Sequence, residues 1–298
     1  MSTFHHIPVL LNEVLAALAP ASGRVYVDGT VGGAGHAEAI LEASAPKGRL
    51  LGSDRDEHAL RAARERLAKF GDRASVVHGE LSELRRTMED AGVARADGIL
   101  ADLGVSSPQL DDPARGFSLQ REGPLDMRMD QTRGRTAREL INALDDTALA
   151  DILYHYGEER RSRPIARSIC RARDEGALET TADLRRAVIR VTGPKRGRAD
   201  PATRTFQALR IAVNRELDQL EALLRDGPDL LQDEGVLAVI SFHSLEDRMV
   251  KHAFRSDERV VALTKKPVRG SDEECAENPR ARSAKLRAAR RRPREETP

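Results

Sequence analysis

The chain has 298 residues, 40% of them apolar and 33% charged, with 22 glycines and 14 prolines. That balance supports a sizeable core and excludes wholesale disorder and the collagen-like and low-complexity classes. Cysteine occurs only at Cys170 and Cys275, which excludes a disulfide framework or CxxC zinc cluster, and a reducing, cytoplasmic compartment is the simplest fit.

The net charge of +1 hides local asymmetry. Residues 1–112 carry 12 Lys and Arg against 17 Asp and Glu, residues 157–215 carry 15 against 7, and residues 279–298 carry 8 against 2. Such segregation is the footprint of a polyanion site, and the dominance of Arg (42 of 49 basic residues) suits bidentate phosphate contacts. A solvated helix surface is the plainer alternative.

No apolar run reaches the roughly 18–20 residues of a membrane span. The first twenty residues have no basic leader, and Asn12 and Glu13 interrupt them. Leu11, Val14, Leu15 and Leu18 share a helical face, so the segment reads as an amphipathic helix rather than an export signal. Residues 25–28 then form a β-type run, followed by a glycine-rich turn and a helix at 36–43. Strands at 49–54, 74–78 and 97–103 alternate with helices at 56–70 and 81–91, the pattern of βαβ units and a parallel sheet. From about residue 111 to 205 the strand signal vanishes and helical stretches recur at 137–144, 147–156, 164–175 and 181–191. The segment is too long for a loop and reads as an inserted helical subdomain. A long helix is expected at 206–225, a fifth strand at 235–242, a helix at 245–254, and an antiparallel strand pair at 259–263 and 284–288.

The turn VDGTVGGAGH at 27–36 sits where open α/β sheets bind ligands, at the carboxyl end of the first strand. Gly32, Gly33 and Gly35 permit a tight turn and close backbone approach. Asp54 closes the second strand, where a carboxylate can accept from both hydroxyls of a ribose. Asp28 would repel a pyrophosphate but suits an ammonium group, which favours S-adenosylmethionine over NAD. An NAD-dependent dehydrogenase remains the alternative, and no GxxxxGK[ST] motif supports a P-loop.

The fourth strand runs into ADLGVSSPQLDD at 101–112. Amino-directed class I methyltransferases commonly carry an Asp/Asn/Ser-Pro-Pro-aromatic tetrad at this point. Here Asp102 keeps the acid without the tetrad. An exocyclic amine is a poor nucleophile because its lone pair delocalises into the base. A carboxylate accepting its N–H would localise that density, and alignment of nitrogen, methyl and sulfur does the rest. Asp102 is therefore the candidate catalytic residue.

Several long segments now bear on kinship: HIPVLLNEVL at 6–15, VDGTVGGAGH at 27–36, LADLGVSSPQLDDPARGFS at 100–118, GPLDMRMD at 123–130, PATRTFQALRIAVNREL at 201–217, ISFHSLEDRMVK at 240–251 and NPRARSAKLR at 278–287. Over nearly its whole length the chain closely resembles the bacterial small-subunit ribosomal RNA cytosine-N4 methyltransferases, the MraW (RsmH) family. The resemblance implies a class I S-adenosylmethionine-dependent methyltransferase fold: α/β, Rossmann-like, mostly parallel with a final antiparallel strand. It implies an inserted helical domain, giving methyltransferase parts at 1–110 and 206–298 around a substrate-recognition insert at 111–205. It implies methyl transfer to N4 of a decoding-region cytidine in 16S rRNA, as free RNA or within the small ribosomal subunit.

By the same resemblance the cofactor contacts fall on Ala34, Gly35, His36, Asp54, Leu81, Asp102 and Gln109. The family often has Gly where Ala34 stands, a tolerable change, and an aromatic where Leu81 stands, so stacking on adenine is weaker here. His36 could hydrogen-bond the cofactor carboxylate or cap the first helix after the turn. Arg204, Phe206 and Arg210 could hold phosphates and a splayed base, with ordinary helix packing the alternative for Phe206. Asp247 and Arg248 are expected on the substrate rim. The loop at 124–130 either closes over the cytidine or holds a local ion pair. The neighbouring His243 and Ser244 suggest a triad only superficially, since adjacent residues at a strand-to-helix turn diverge and no GxSxG elbow exists. No metal and no membrane contact are expected. The oligomeric state, homodimer included, is left open, and a non-catalytic RNA-binding factor is the competing function.

Overall fold

The structure is a computed structural model that describes residues 8–194 and 200–294. It divides into two compact units, one formed by Met1–Gly104 with Asp218–Pro298 and the other by Val105–Leu217.

The first unit opens with α1 (Leu11–Leu18), which buries Val14 and Leu18. β1 (Val25–Asp28), α2 (Gly35–Ala43), β2 (Arg49–Asp54), α3 (Glu57–Leu67), β3 (Ala74–His78), α4 (Leu84–Asp90) and β4 (Ala96–Asp102) follow in alternation. In the second unit come α5 (Ser107–Asp111), α6 (Ala137–Ala143), α7 (Asp146–Gly157), α8 (Ser162–Asp174), α9 (Thr181–Thr192) and α10 (Thr203–Asn214). The chain then continues through α11 (Glu216–Leu230), β5 (Leu231–Ser241), α12 (Ser244–Ser256), β6 (Val260–Ala262), α13 (Asp272–Glu277) and β7 (Lys285–Arg291).

The strands form one seven-stranded sheet in the order β3-β2-β1-β4-β5-β7-β6. β1 to β5 run parallel, and β7 pairs antiparallel with both β5 and β6. This is the expected fold. Leu100, Leu50, Ile240 and Tyr26 pack on one side with α1, α2 and α3. Ile99, Leu51, Val239 and Leu237 pack on the other with α4, α11 and α12. Burial on both faces explains why these strands read as continuous apolar runs. The strand order reverses between β1 and β4, so the crevice at their carboxyl ends is the topological switch point where such sheets bind ligands. Asp28, opposite Leu100, and Asp102, opposite Ile240, stand there.

The helical unit has its own core, with Leu149, Leu153, Ile165, Ile169, Leu184 and Leu209 fully buried. Asn214 pins the 123–130 loop, accepting from Met129 N–H at 2.8 Å and donating to the Met127 carbonyl at 2.7 Å. Within that loop Asp126 holds Arg128 at 2.8 Å, a local ion pair.

Two features differ from the sequence reading. The helix expected over 206–225 is broken: Arg215, at φ 50°, ends α10 in a left-handed turn, and α11 starts afresh. Consequently Phe206, Ala208 and Leu209 bury themselves among the inserted helices, and the unit boundary lies at Leu217 rather than at 205. The helix expected at 81–91 begins as a 3-10 turn, Leu81–Glu83, and becomes α-helical only at Leu84.

Candidate active site

The β1–α2 turn is tied into the sheet by backbone bonds from Gly29 N–H to the Leu100 carbonyl and from Val31 N–H to the Ser53 carbonyl, both 2.9 Å. Asp54, ending β2, accepts from Gly32 N–H and from Asp56 N–H, each at 2.9 Å. Its carboxylate therefore fixes the turn, and each oxygen keeps a second acceptor position. Ala34 caps α2 in the left-handed region at φ 62°, a conformation that costs an alanine about 1–2 kcal/mol. The glycine-to-alanine departure from the family thus carries strain. At Gly35 a Cβ would sit 3.1 Å from the Pro8 ring, a tight contact to which the ring would have to yield.

His36 is buried. Its Nε2 lies 2.9 Å from the Val9 carbonyl, so Nε2 carries the proton and the Nδ1 lone pair is left facing Asp102 Oδ2, 3.9 Å away. Ala34, not His36, is the helix cap. Burial holds the imidazole pKa below its ordinary value.

Asp102 ends β4. Its N–H donates to Thr30 Oγ1 at 2.6 Å, which fixes the strand end against the β1 turn. Its Oδ1 is buried with no hydrogen-bond partner among the described residues. Desolvation raises the Asp102 carboxyl to about 7, against a lowering by Arg280 and a further raising by Glu246. Asp28, 1% exposed, is likewise pushed by burial to about 7, with His36 and the Thr30 N–H pulling it down and Asp102 and Asp54 adding to the rise. Burial also raises Asp54. Three carboxyls that resist ionisation thus stand at the carboxyl ends of β1, β2 and β4, and a bound cation would stabilise their charged forms.

Leu81 stands in the 3-10 turn after β3, and a Cβ on Gly29 would come within 2.6 Å of its Cδ2. The turn is anchored through Gln219, which accepts from Ser82 N–H at 2.8 Å and donates to Glu80 at 2.7 Å. Leu81 thus packs directly on the Gly29 backbone, an apolar cover at the start of the β1 turn.

The structure thus brings together Ala34, Gly35, His36, Asp54, Leu81 and Asp102. Gln109 belongs to the helical unit. There its carbonyl accepts from Ser106 N–H at 2.9 Å to complete the capping box of α5. Arg204, Phe206 and Arg210 share α10. Arg204 donates to the Glu158 carbonyl at 3.1 Å. Phe206 is 5% exposed and lines a cleft with Val105, Leu110, Phe117 and Met127. Arg210 makes a two-pronged pair with Glu216, at 2.8 and 2.7 Å. On α12, Asp247 is bound by Arg287 at 2.7 Å and Lys285 at 3.5 Å, which hold its carboxyl below the usual range, while Arg248 is exposed. His243 caps α12 and its N–H donates to Glu246, so it forms no triad with Ser244.

Sequence reasoning missed Thr30, whose β1-turn position gives no hint that its hydroxyl reaches β4. It also missed Arg280, which stands shortly before β7, far along the chain from the other site residues. Arg280 lies 5.8 Å from the Phe242 ring centre and acts electrostatically on Asp102.

The site residues fit S-adenosylmethionine: the desolvated carboxyls of Asp28 and Asp102 suit a cationic ligand, and the free acceptor positions of Asp54 suit the hydroxyls of a ribose. Comparison with known proteins agrees. The chain is 63% identical over 287 residues to the ribosomal RNA small subunit methyltransferase H of Sorangium cellulosum, covering 96% of this chain and 90% of that one. The protein of the same name from a Geobacter strain is 50% identical, with 96% of this chain and 98% of that one covered. Its counterpart from a Cyanothece strain is 52% identical, with 97% and 95% covered. The family model described as the MraW methylase family matches residues 3–292, and the chain belongs to that family.

Proposed function

We propose that this methyltransferase uses S-adenosylmethionine to methylate N4 of a cytidine in the decoding region of small-subunit ribosomal RNA. The observation that carries the reading is Asp102, a buried carboxyl with one unpartnered oxygen at the end of the central strand, beside the glycine-rich turn. When bound, the donor supplies an electrophilic methyl group on sulfur. Asp54 receives the ribose hydroxyls, Leu81 covers the adenine, and Asp28 faces the cationic portion. Asp102 Oδ1 accepts an N–H of the cytosine amine and so concentrates the lone pair on nitrogen. Methyl transfer would leave that nitrogen positively charged, with a neutral thioether as the leaving group and one proton to lose. Asp102, already accepting from the amine and kept ionised by the bound cation, is the group that would take it. His36, fixed by the Val9 carbonyl, keeps an unprotonated nitrogen toward that carboxyl.

The test is transfer of isotopically labelled methyl to small ribosomal subunits from cells lacking this enzyme, followed by nucleoside mass spectrometry. N4-methylcytidine at a single position is expected, and Asp102→Ala should lower the rate roughly 100-fold or more. Label on another nucleoside, or an undiminished Asp102→Ala, would refute the assignment.

A further inference from the structure

Within the helical unit, α8 buries Ile165, Ala166 and Ile169 and is held to α9 by Ser168 Oγ, which donates to the Ala187 carbonyl at 2.7 Å. On its outer side Arg163, Arg167 and Arg171 are exposed at i, i+4 spacing, one above the next. None of the three forms a salt bridge or side-chain hydrogen bond among the described residues. Several nearby arginines are engaged, Arg173 with Asp174 and two backbone carbonyls, Arg185 with Asp200, Arg186 with Asp183 and Arg138 with Glu179, whereas Arg160 and Arg161 just before the helix are exposed without a side-chain partner among the described residues and extend the basic surface at its start. At the far end of the helix Asp174 is held by Arg173 at 2.8 Å, and Glu175, four residues past Arg171, is exposed but makes no ion pair with it among the described residues.

This arrangement works against the helix. Like charges at i, i+4 repel, and Arg163 stands in a first turn with no acidic residue and no side-chain cap, where the helix dipole disfavours a cation. A surface selected for stability alone would place acids between these positions. The three guanidinium groups rise about 6 Å per step along the axis, a scale comparable with the step between neighbouring phosphates of a nucleic-acid strand. Arginine supplies forked donors for phosphate oxygens.

We infer that Arg163, Arg167 and Arg171 form a sequence-independent docking row for the phosphate backbone of RNA, engaging about three consecutive phosphates. The inference rests on the RNA-methylating function proposed above and names the surface that positions its substrate. An acidic polypeptide is the competing occupant, but regular spacing of forked donors fits a regular row of phosphates better than irregular carboxylates.

The test uses the full chain with Arg163→Gln, Arg167→Gln and Arg171→Gln combined, and a fluorescent single-stranded RNA oligonucleotide as probe. Dissociation constants are measured by anisotropy across a potassium chloride series. Three lost phosphate contacts should flatten the slope of log K against log salt by about 2 and weaken binding roughly 10- to 100-fold near physiological salt. The corresponding triple Lys variant should retain most of the slope. S-adenosylhomocysteine affinity by calorimetry should be unchanged, and the melting temperature of the Gln variant should hold or rise, which excludes misfolding. An unchanged slope and affinity would overturn the row, as would poly-glutamate binding more tightly than RNA through the same three residues. Methylation of ribosomal subunits by the wild type, together with an unaltered salt slope in the variant, would sink the row while leaving the function standing. A reduced slope without any methylation by the wild type would do the reverse.

Discussion

Asp102→Asn should make the ligand-free protein more stable while removing its activity. In the folded chain the Asp102 carboxyl is raised from 3.8 to about 7 by desolvation. That difference corresponds to about 4 kcal/mol of penalty on the ionised form. Asparagine removes the charge but leaves an amide with a poorly partnered atom where Oδ1 has none, at a cost of about 1–3 kcal/mol. The net gain is therefore about 2 kcal/mol, or about 3 °C in melting temperature for a chain of this size. The pH dependence is the sharper signature. Below about 4 the carboxyl is protonated both folded and unfolded, so the wild type suffers no ionisation penalty. As pH rises toward 7 the unfolded chain releases its proton while the folded chain retains it, and wild-type stability falls. Above about 7 both are ionised and the penalty is constant. Calorimetric melts of wild type and variant from pH 4 to 8 should show a gap that is absent or inverted at pH 4, opens up to pH 7 and then levels. A gap independent of pH, or a wild type that is the more stable at pH 8, would refute the desolvated-carboxyl account.

Other substitutions separate structure from chemistry. Arg210→Ala strands the carboxylate of Glu216, which is only 7% exposed, and should lower stability by about 3 kcal/mol in denaturant unfolding, a loss that Arg210→Ala combined with Glu216→Gln should largely recover. Asp54→Ala removes the acceptor for two backbone N–H groups as well as the proposed ribose contact, so donor affinity by calorimetry should fall at least about 10-fold, alongside about 1–3 kcal/mol of stability. Leu81→Phe restores an aromatic over the proposed adenine slot and should tighten S-adenosylhomocysteine binding by about 0.5–1.5 kcal/mol; weaker binding would mean that Gly29 and Leu81 do not form the slot.

Legibility in the sequence follows the range of the physics. The four inner parallel strands are readable because each carries a short apolar run buried on both faces, β3 at the edge is readable from its β-branched pair Val76 and Val77 although it is only partly buried, and Asp28, Asp54 and Asp102 are readable because each polar residue ends a buried run. The carboxyl-edge geometry that gathers them follows from strand direction alone. The break at Arg215 is not readable, since an arginine in a left-handed turn leaves no compositional mark and the apolar periodicity of α10 and α11 runs on across it. The reason for Gly35 is hidden in a similar way: its neighbour is Pro8, well back along the chain, and only folding brings the two together. Arg210 looks like a phosphate ligand because charge is visible in sequence and pairing is not.

That distinction between charge and uncompensated charge decides where a polyanion can bind. Residues 279–298 carry as strong a local excess of arginine as the insert, yet β7 and the residues after it use that charge internally. Arg287 binds Asp247, Arg290 binds Glu234, Arg291 binds Asp229 and Arg294 binds Asp233. These acids lie in α11, β5 and α12, on segments that close the sheet, so the pairs lock the last strands together and leave little field outside. On α8 the positions between Arg163, Arg167 and Arg171 hold no acid, Asp174 is taken by Arg173, and three guanidinium groups face solvent. Two segments with a similar net basic excess therefore differ in kind: one cements the sheet, and the other holds an open row of donors whose repulsion only an anionic partner relieves.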